Sequence, residues 1–111
     1  MEDIKAKLKS EILEATWHAL KPHHERGALI VVQHPLELDD VGVAIALDRS
    51  PIVEHWMNEG LLYKPSDEHV QTWEEEERKF FWSVIVQPFV LAKEVTPQED
   101  LAFQQAYTID A

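Results

Sequence analysis

One run of five residues, Ala28-Leu29-Ile30-Val31-Val32, constrains this chain more than any other feature. It contains no polar side chain, and its last three residues are β-branched. Successive side chains of a strand point to opposite faces, so an unbroken apolar run predicts a strand buried on both faces. The polar stretch His23-His24-Glu25-Arg26-Gly27, read as a loop, precedes it, and Gln33-His34-Pro35 stops it.

The rest of the pattern supplies helices and a few further strands. Over residues 3–20, Ile4, Leu8, Ile12, Ala15 and Ala19 recur at helical spacing, with Leu13, Trp17 and Leu20 as a second stripe. This predicts one helix contacting two neighbours and ended by Pro22. Residues 38–47 are apolar nearly all round and read as a short buried helix, with a buried strand as the alternative. Asp39 and Asp40 would lie in its first turn, where the helix dipole favours them, and Gly42 signals close approach of a neighbour. Ser50-Pro51 predicts a helix start with Ser50 as N-cap, Trp56 on the apolar face and Gly60 left-handed after the last turn.

Leu61-Leu62-Tyr63 reads as a short strand, and Ser66 as the cap of a helix carrying Val70 and Trp73. Phe80 to Leu91 reads as a β segment in which Pro88 marks an edge or a bend. Thr96-Pro97-Gln98-Glu99 is a capping box that predicts a last helix over 97–107. The sum is an α+β domain over residues 1–111: a small sheet from about 28–33, 61–64 and 80–92, packed against about four to five helices. A helix-turn-helix-like pair lies in the middle, and Trp17 and Trp56 are expected as core anchors.

Charge narrows the partners. Acidic side chains number 21 against 10 basic ones, for a net charge of −11. Phosphate backbones and anionic membranes would be repelled, so neither nucleic acid nor a membrane is expected as partner. The second helix of the central pair offers Glu54, His55, Asn58 and Glu59, a poor set for reading DNA. There is no cysteine, which excludes disulfides and thiol catalysis. No apolar stretch reaches the roughly 20 residues that span a bilayer, and Met1-Glu2-Asp3 does not open a signal peptide, so a cytoplasmic location is expected.

Candidate chemistry is sparse. His18, His23, His24 and His34 cluster in sequence without a metal-ligand spacing, so no metal or other cofactor is expected. Arg26, beside His23, suits a phosphate or carboxylate ligand; it equally suits an internal pair with Asp39, Asp40 or Asp48. Those three aspartates could do acid–base work or hold a divalent cation. A helix terminus explains Asp39 and Asp40 as well, and a turn explains Asp48. His23, Arg26, Asp39, Asp40 and Asp48 are thus the candidate ligand-binding residues. No Gly-rich phosphate loop, Walker lysine or nucleophile elbow is present.

Several motifs together resemble a family of short bacterial proteins catalogued as domain of unknown function 2288. They are Trp17 with Leu20-Lys21-Pro22-His23, Arg26 with Ala28 to Val32, and Val41 to Ala46 with Asp48. Val53 with Trp56, Gly60-Leu61-Leu62 with Lys64-Pro65, and Val86 to Leu91 complete the likeness. It covers about residues 5–93, leaving 94–111 as a C-terminal extension. The resemblance implies a bacterial origin and no activity. The leading expectation is a non-catalytic binding or protein-interaction module, self-associating as a homodimer near the 80–92 strand. The alternatives are a small enzyme or metal-binding domain using the His23, Arg26 and aspartate set, and a helix-turn-helix-like regulator that contacts protein.

Overall fold

The computed structural model describes residues 3–76 and 79–95. Its chain order is α1 (Ile4–Ser10), β1 (Leu13–Thr16), α2 (Trp17–Glu25), β2 (Leu29–Val32), α3 (Leu38–Ala46), α4 (Ser50–Asn58), β3 (Leu62–Tyr63), α5 (Asp67–Glu75), β4 (Phe80–Val86) and β5 (Phe89–Glu94). The strands form one mixed sheet in the order β1-β4-β5-β2-β3, in which only β2 and β5 run parallel. This is the expected α+β fold, with five strands where three were expected.

The unbroken apolar run does what its pattern requires. All four residues of β2 are buried. Ile30 and Val32 join Leu8, Leu38, Val41, Leu62, Val84 and Leu91 on one face of the sheet. Leu29 and Val31 join Trp17, Leu20, Trp73, Phe81 and Val90 on the other. Helices α1, α3 and α4 therefore cover one face, and α2 and α5 the other.

The single helix expected over 3–20 is instead a helix, a strand and the start of a second helix. The two stripes do not sort by face: Ile4, Leu8 and Ile12 pack on one side of the sheet, Ala15, Trp17 and Leu20 on the other, and Leu13 and Ala19 are exposed. No straight helix can reach both, so β1 carries the chain across. Pro22 does not end α2; it lies inside it, and His23, His24 and Glu25 are helical, not a loop. Thr16 caps α2 through its Oγ, which accepts from the Ala19 N–H at 3.3 Å. Pro22 removes the bond that would close on the carbonyl of His18, an exposed residue whose carbonyl water can reach.

Residues 80–91 are likewise not one strand. They make an antiparallel hairpin in which Gln87-Pro88, a cis peptide, is the two-residue turn between Val86 and Phe89. Pro88 therefore marks neither an edge nor a bend. Both strands are interior, and the sheet edges are β1 and β3.

Three helices end in the same way. After α2, the Ala28 N–H donates to the His23 carbonyl and Gly27 to His24. After α3, Arg49 donates to Ala44 and Asp48 to Ile45; after α4, Leu61 donates to Trp56 and Gly60 to Met57. These are Schellman caps, and each needs a left-handed residue. Gly27 and Gly60 supply it at φ 76°, and Asp48 does so at φ 55° despite its side chain.

At the start of α4 the N-cap is Arg49 and not Ser50, which is the first helical residue. Trp17 is a core residue, 2% exposed. Trp56 is only partly buried, because α4 lies at the margin of its layer and has no fully buried residue. Gly42 is in close contact as expected: a Cβ there would stand 2.8 Å from Leu8 Cδ1. The helix expected over 97–107 lies outside the described residues.

Candidate functional site

The parallel pairing of β2 and β5 brings two strand ends together, and open α/β sheets commonly bind ligands beyond the carboxyl ends of parallel strands. Gln33 follows β2 directly. Its backbone N–H donates to the Leu61 carbonyl at 2.9 Å, and its side-chain Nε2 to the Gly60 carbonyl at 2.8 Å. Glu94 closes β5 and forms an ion pair with Lys79 at 2.5 Å. Lys79 also stands over the Phe81 ring, 5.7 Å from its centroid.

Helix α5 roofs this end of the sheet, and its sequence fixes where it starts. The Ser66 hydroxyl accepts from the His69 N–H at 3.3 Å, while His69 Nδ1 accepts from the Ser66 N–H at 3.1 Å. This is a capping box with His in place of the usual Glu or Gln. Trp73, 4% exposed, anchors the helix from below, edge-on to Phe81 at 5.0 Å and tilted against Trp17 at 5.1 Å.

Between α5 and the sheet edge lies an open cleft of about 580 Å³, lined by Tyr63, Lys64, His69, Thr72, Glu76 and the Lys79–Glu94 pair among others. The His69 ring stands between Tyr63 (4.8 Å) and Trp73 (5.5 Å), which holds it flat against the aromatic wall. With Nδ1 accepting from the Ser66 N–H, the ring proton is assigned to Nε2. Burial, and next the nearby Glu94 charge, push the Tyr63 hydroxyl up to about 12.

The residues singled out from sequence occupy other places. Arg26 Nη2 and His23 Nδ1 are 2.9 Å apart, and Arg26 Nη1 donates to the Pro88 carbonyl at 3.4 Å, tying α2 to the β4–β5 turn. Asp40 pairs with Lys5 at 2.8 Å, joining α3 to α1, and Asp39 is largely buried beside it in the first turn of α3. Asp48 lies past the other end of α3, eight residues and about 12 Å from Asp40 at the helical rise. It borders a second cleft, of about 400 Å³, with Ala44, Val53, Pro88 and Phe89. His23 and Arg26 are thus brought together, while Asp40 and Asp48 stand apart. Among the described residues no three His, Asp or Glu side chains gather as a metal would require.

A third feature ties the two helices of this face together. Lys21 and Glu74 pair at 2.6 Å between α2 and α5. The buried Trp17 indole N–H approaches Glu74 too loosely for a full hydrogen bond. Lys21 foremost, and then the Trp17 indole, keep the Glu74 carboxyl below the usual carboxylate range.

The sequence reading missed the cleft. Ser66 was legible as a cap, and His69 three residues on is the trace of its capping box. No spacing joins residues 63–76 to Lys79 and Glu94, because that proximity depends on β5 lying beside β2.

No helix among the described residues is long and apolar enough to cross a membrane. No curated protein matches the chain. The NMR solution structure of PA1075 from Pseudomonas aeruginosa is similar over 88% of this chain and 90% of that one, at 31% identity and a TM-score of 0.73. The family model described as protein of unknown function (DUF2288) matches residues 3–94. With this match over most of its length, and a relative alike in sequence and fold, the chain belongs to the DUF2288 family.

Proposed function

We propose that the protein is a non-catalytic binding module whose ligand enters the cleft between α5 and the carboxyl ends of β2 and β5. One observation carries this reading: the His69 ring in the cleft is packed between Tyr63 and Trp73 with its Nδ1 already taken up by the Ser66 N–H. The bond from Ser66 engages the Nδ1 lone pair of His69. A general base needs a free lone pair and a pKa near the working pH. This wall can stack against a ligand and donate to it, and it is poorly arranged to move protons. The cleft's volume also falls in the ordinary range for small-molecule sites.

The test is a fragment titration of isotope-labelled protein followed by NMR. Shifts concentrated on the amides of Tyr63, Lys64, Thr72 and Glu76 support the reading. Fragments that move amides elsewhere and leave these four unmoved would overturn it.

A second reading, self-association, is favoured by a different observation. The β1–β4 ladder ends at Leu13 opposite Ser83, so Val84 to Val86 have no strand partner on that side among the described residues. Leu13 and Ile85, 69% and 58% exposed, project from this edge on the same face. Such an edge invites a further strand. In this reading the 80–92 segment contributes the contact through its first strand, β4.

A further inference from the structure

We infer that the cleft takes a small dipolar molecule, with a carboxylate at one end and an amine at the other. This rests on the reading of the cleft as a binding site and adds the class of ligand. Four charged side chains line it: Lys64, Lys79, Glu76 and Glu94. Lys79 and Glu94 neutralise each other. Among the described residues Lys64 and Glu76 form no ion pair, and they are the two charges assigned to the ligand.

The two lie at opposite ends of the cleft. Lys64 precedes α5, and Glu76 is its C-cap. The nine residues between Asp67 and Glu75 make a helix about 14 Å long. With one of these charges beyond each end of the helix, the cleft suits a short molecule whose charges are separated better than one whose charges are adjacent.

The uncharged groups have the same polarity. At the Lys64 end, His69, in the first turn of α5, offers its Nε2–H. Lys64 and the His69 Nε2–H are donors, which suits a carboxylate, and the Tyr63 ring packs against His69. At the other end, Glu76 stands where the last carbonyls of α5 present the negative end of the helix dipole, which suits an amine. The Tyr63 and His69 rings and Thr72 form the wall between, against which an uncharged linker can lie.

The experiment compares three probes of similar length by NMR titration of the full chain. They are 6-aminohexanoate, which carries both charges, hexanoate and hexylammonium. An exposed ion pair adds up to about fivefold in affinity, so 6-aminohexanoate should bind roughly fivefold tighter than either single-charge probe and shift the Lys64, Thr72 and Glu76 amides. Lys64→Met should reduce it to the level of hexylammonium, and Glu76→Gln to that of hexanoate. Both side chains are exposed, and unchanged amides elsewhere will show that the fold survives. Equal binding of 6-aminohexanoate and a single-charge probe at this cleft would overturn the dipolar ligand while leaving a binding site. Cleft amides unmoved by all three would overturn both.

Discussion

Asp48 carries the clearest strain at the level of single residues. It holds the left-handed position that Gly27 and Gly60 occupy in the other two Schellman caps, and its negative charge sits at the negative end of α3. Its one compensation is a long acceptance from the Ser50 hydroxyl, 3.4 Å. Asp48→Gly should therefore stabilise the fold by about 1 kcal/mol, read as a higher urea midpoint; a lower midpoint would mean that the Ser50 contact outweighs both penalties. Gly42 is the opposite case. Helix propensity alone favours alanine there by about 1 kcal/mol. Yet the new Cβ would meet Leu8 at 2.8 Å and Val86 at 3.3 Å, both buried, and overpacking costs about 1–3 kcal/mol. Gly42→Ala should thus destabilise, and should turn stabilising in a Leu8→Ala background where the contact is gone. A sign that stays the same in both backgrounds would refute the packing argument. Gly42's close contact was legible from a glycine inside an apolar helical run. The role of Arg26 was legible only in kind: the sequence pointed to a ligand or an aspartate, and the fold gives its guanidinium to His23 and the Pro88 carbonyl.

Elements were legible where burial forces a pattern. Strand β2 is covered on both faces, so it had to be apolar throughout; α3 lies between α1 and the sheet and is apolar nearly all round for the same reason. Strand β1 was not legible. As an edge strand of four residues with one face open, Leu13-Glu14-Ala15-Thr16 needs no continuous apolar run, and the helical period of its neighbours passes through it by coincidence. The hairpin of β4 and β5 was hidden because two strands buried in sequence order look like one longer strand. Strand β3 and helix α5 frame the cleft, and their coupling makes a pH prediction. The Tyr63 hydroxyl, about 10 in an open chain, is raised to about 12 in the fold. A raised value means that the fold favours the protonated phenol. That contribution is complete below about pH 10 and disappears as pH rises toward 12. The ring is partly solvated, so water screens the effect and the loss should be modest. Unfolding measured across this range should show the parent losing stability relative to Tyr63→Phe. Ultraviolet titration should show a late phenolate transition that the same substitution removes. An unshifted titration for Tyr63 would place its hydroxyl in water.

Seen as a whole molecule, the protein combines a strong net negative charge with, among the described residues, an open β1–β4 sheet edge, and these oppose each other in any self-association. A net charge of −11 on each copy repels a second. In the self-association reading the β1–β4 edge would attract one, through backbone groups unpaired among the described residues and the exposed Leu13 and Ile85. The edge is small. A four-residue strand with two apolar side chains falls short of the roughly 1,200–2,000 Å² that a stable interface buries. The expected dimer is therefore weak, and salt should strengthen it by screening the repulsion between copies, since the Debye length falls from about 10 Å at 0.1 M to about 3 Å at 1 M. Sedimentation velocity should show a sedimentation coefficient that rises with protein concentration, and more steeply at high salt. The substitutions Leu13→Lys and Ile85→Lys separate the edge from the charge. Each makes the chain less acidic, so general repulsion falls, while a lysine at a sheet edge blocks strand pairing. If the edge is the contact, the double variant stays monomeric in spite of its lower net charge. If it associates as well as the parent or better, the contact lies on another face, and charge alone was keeping the copies apart.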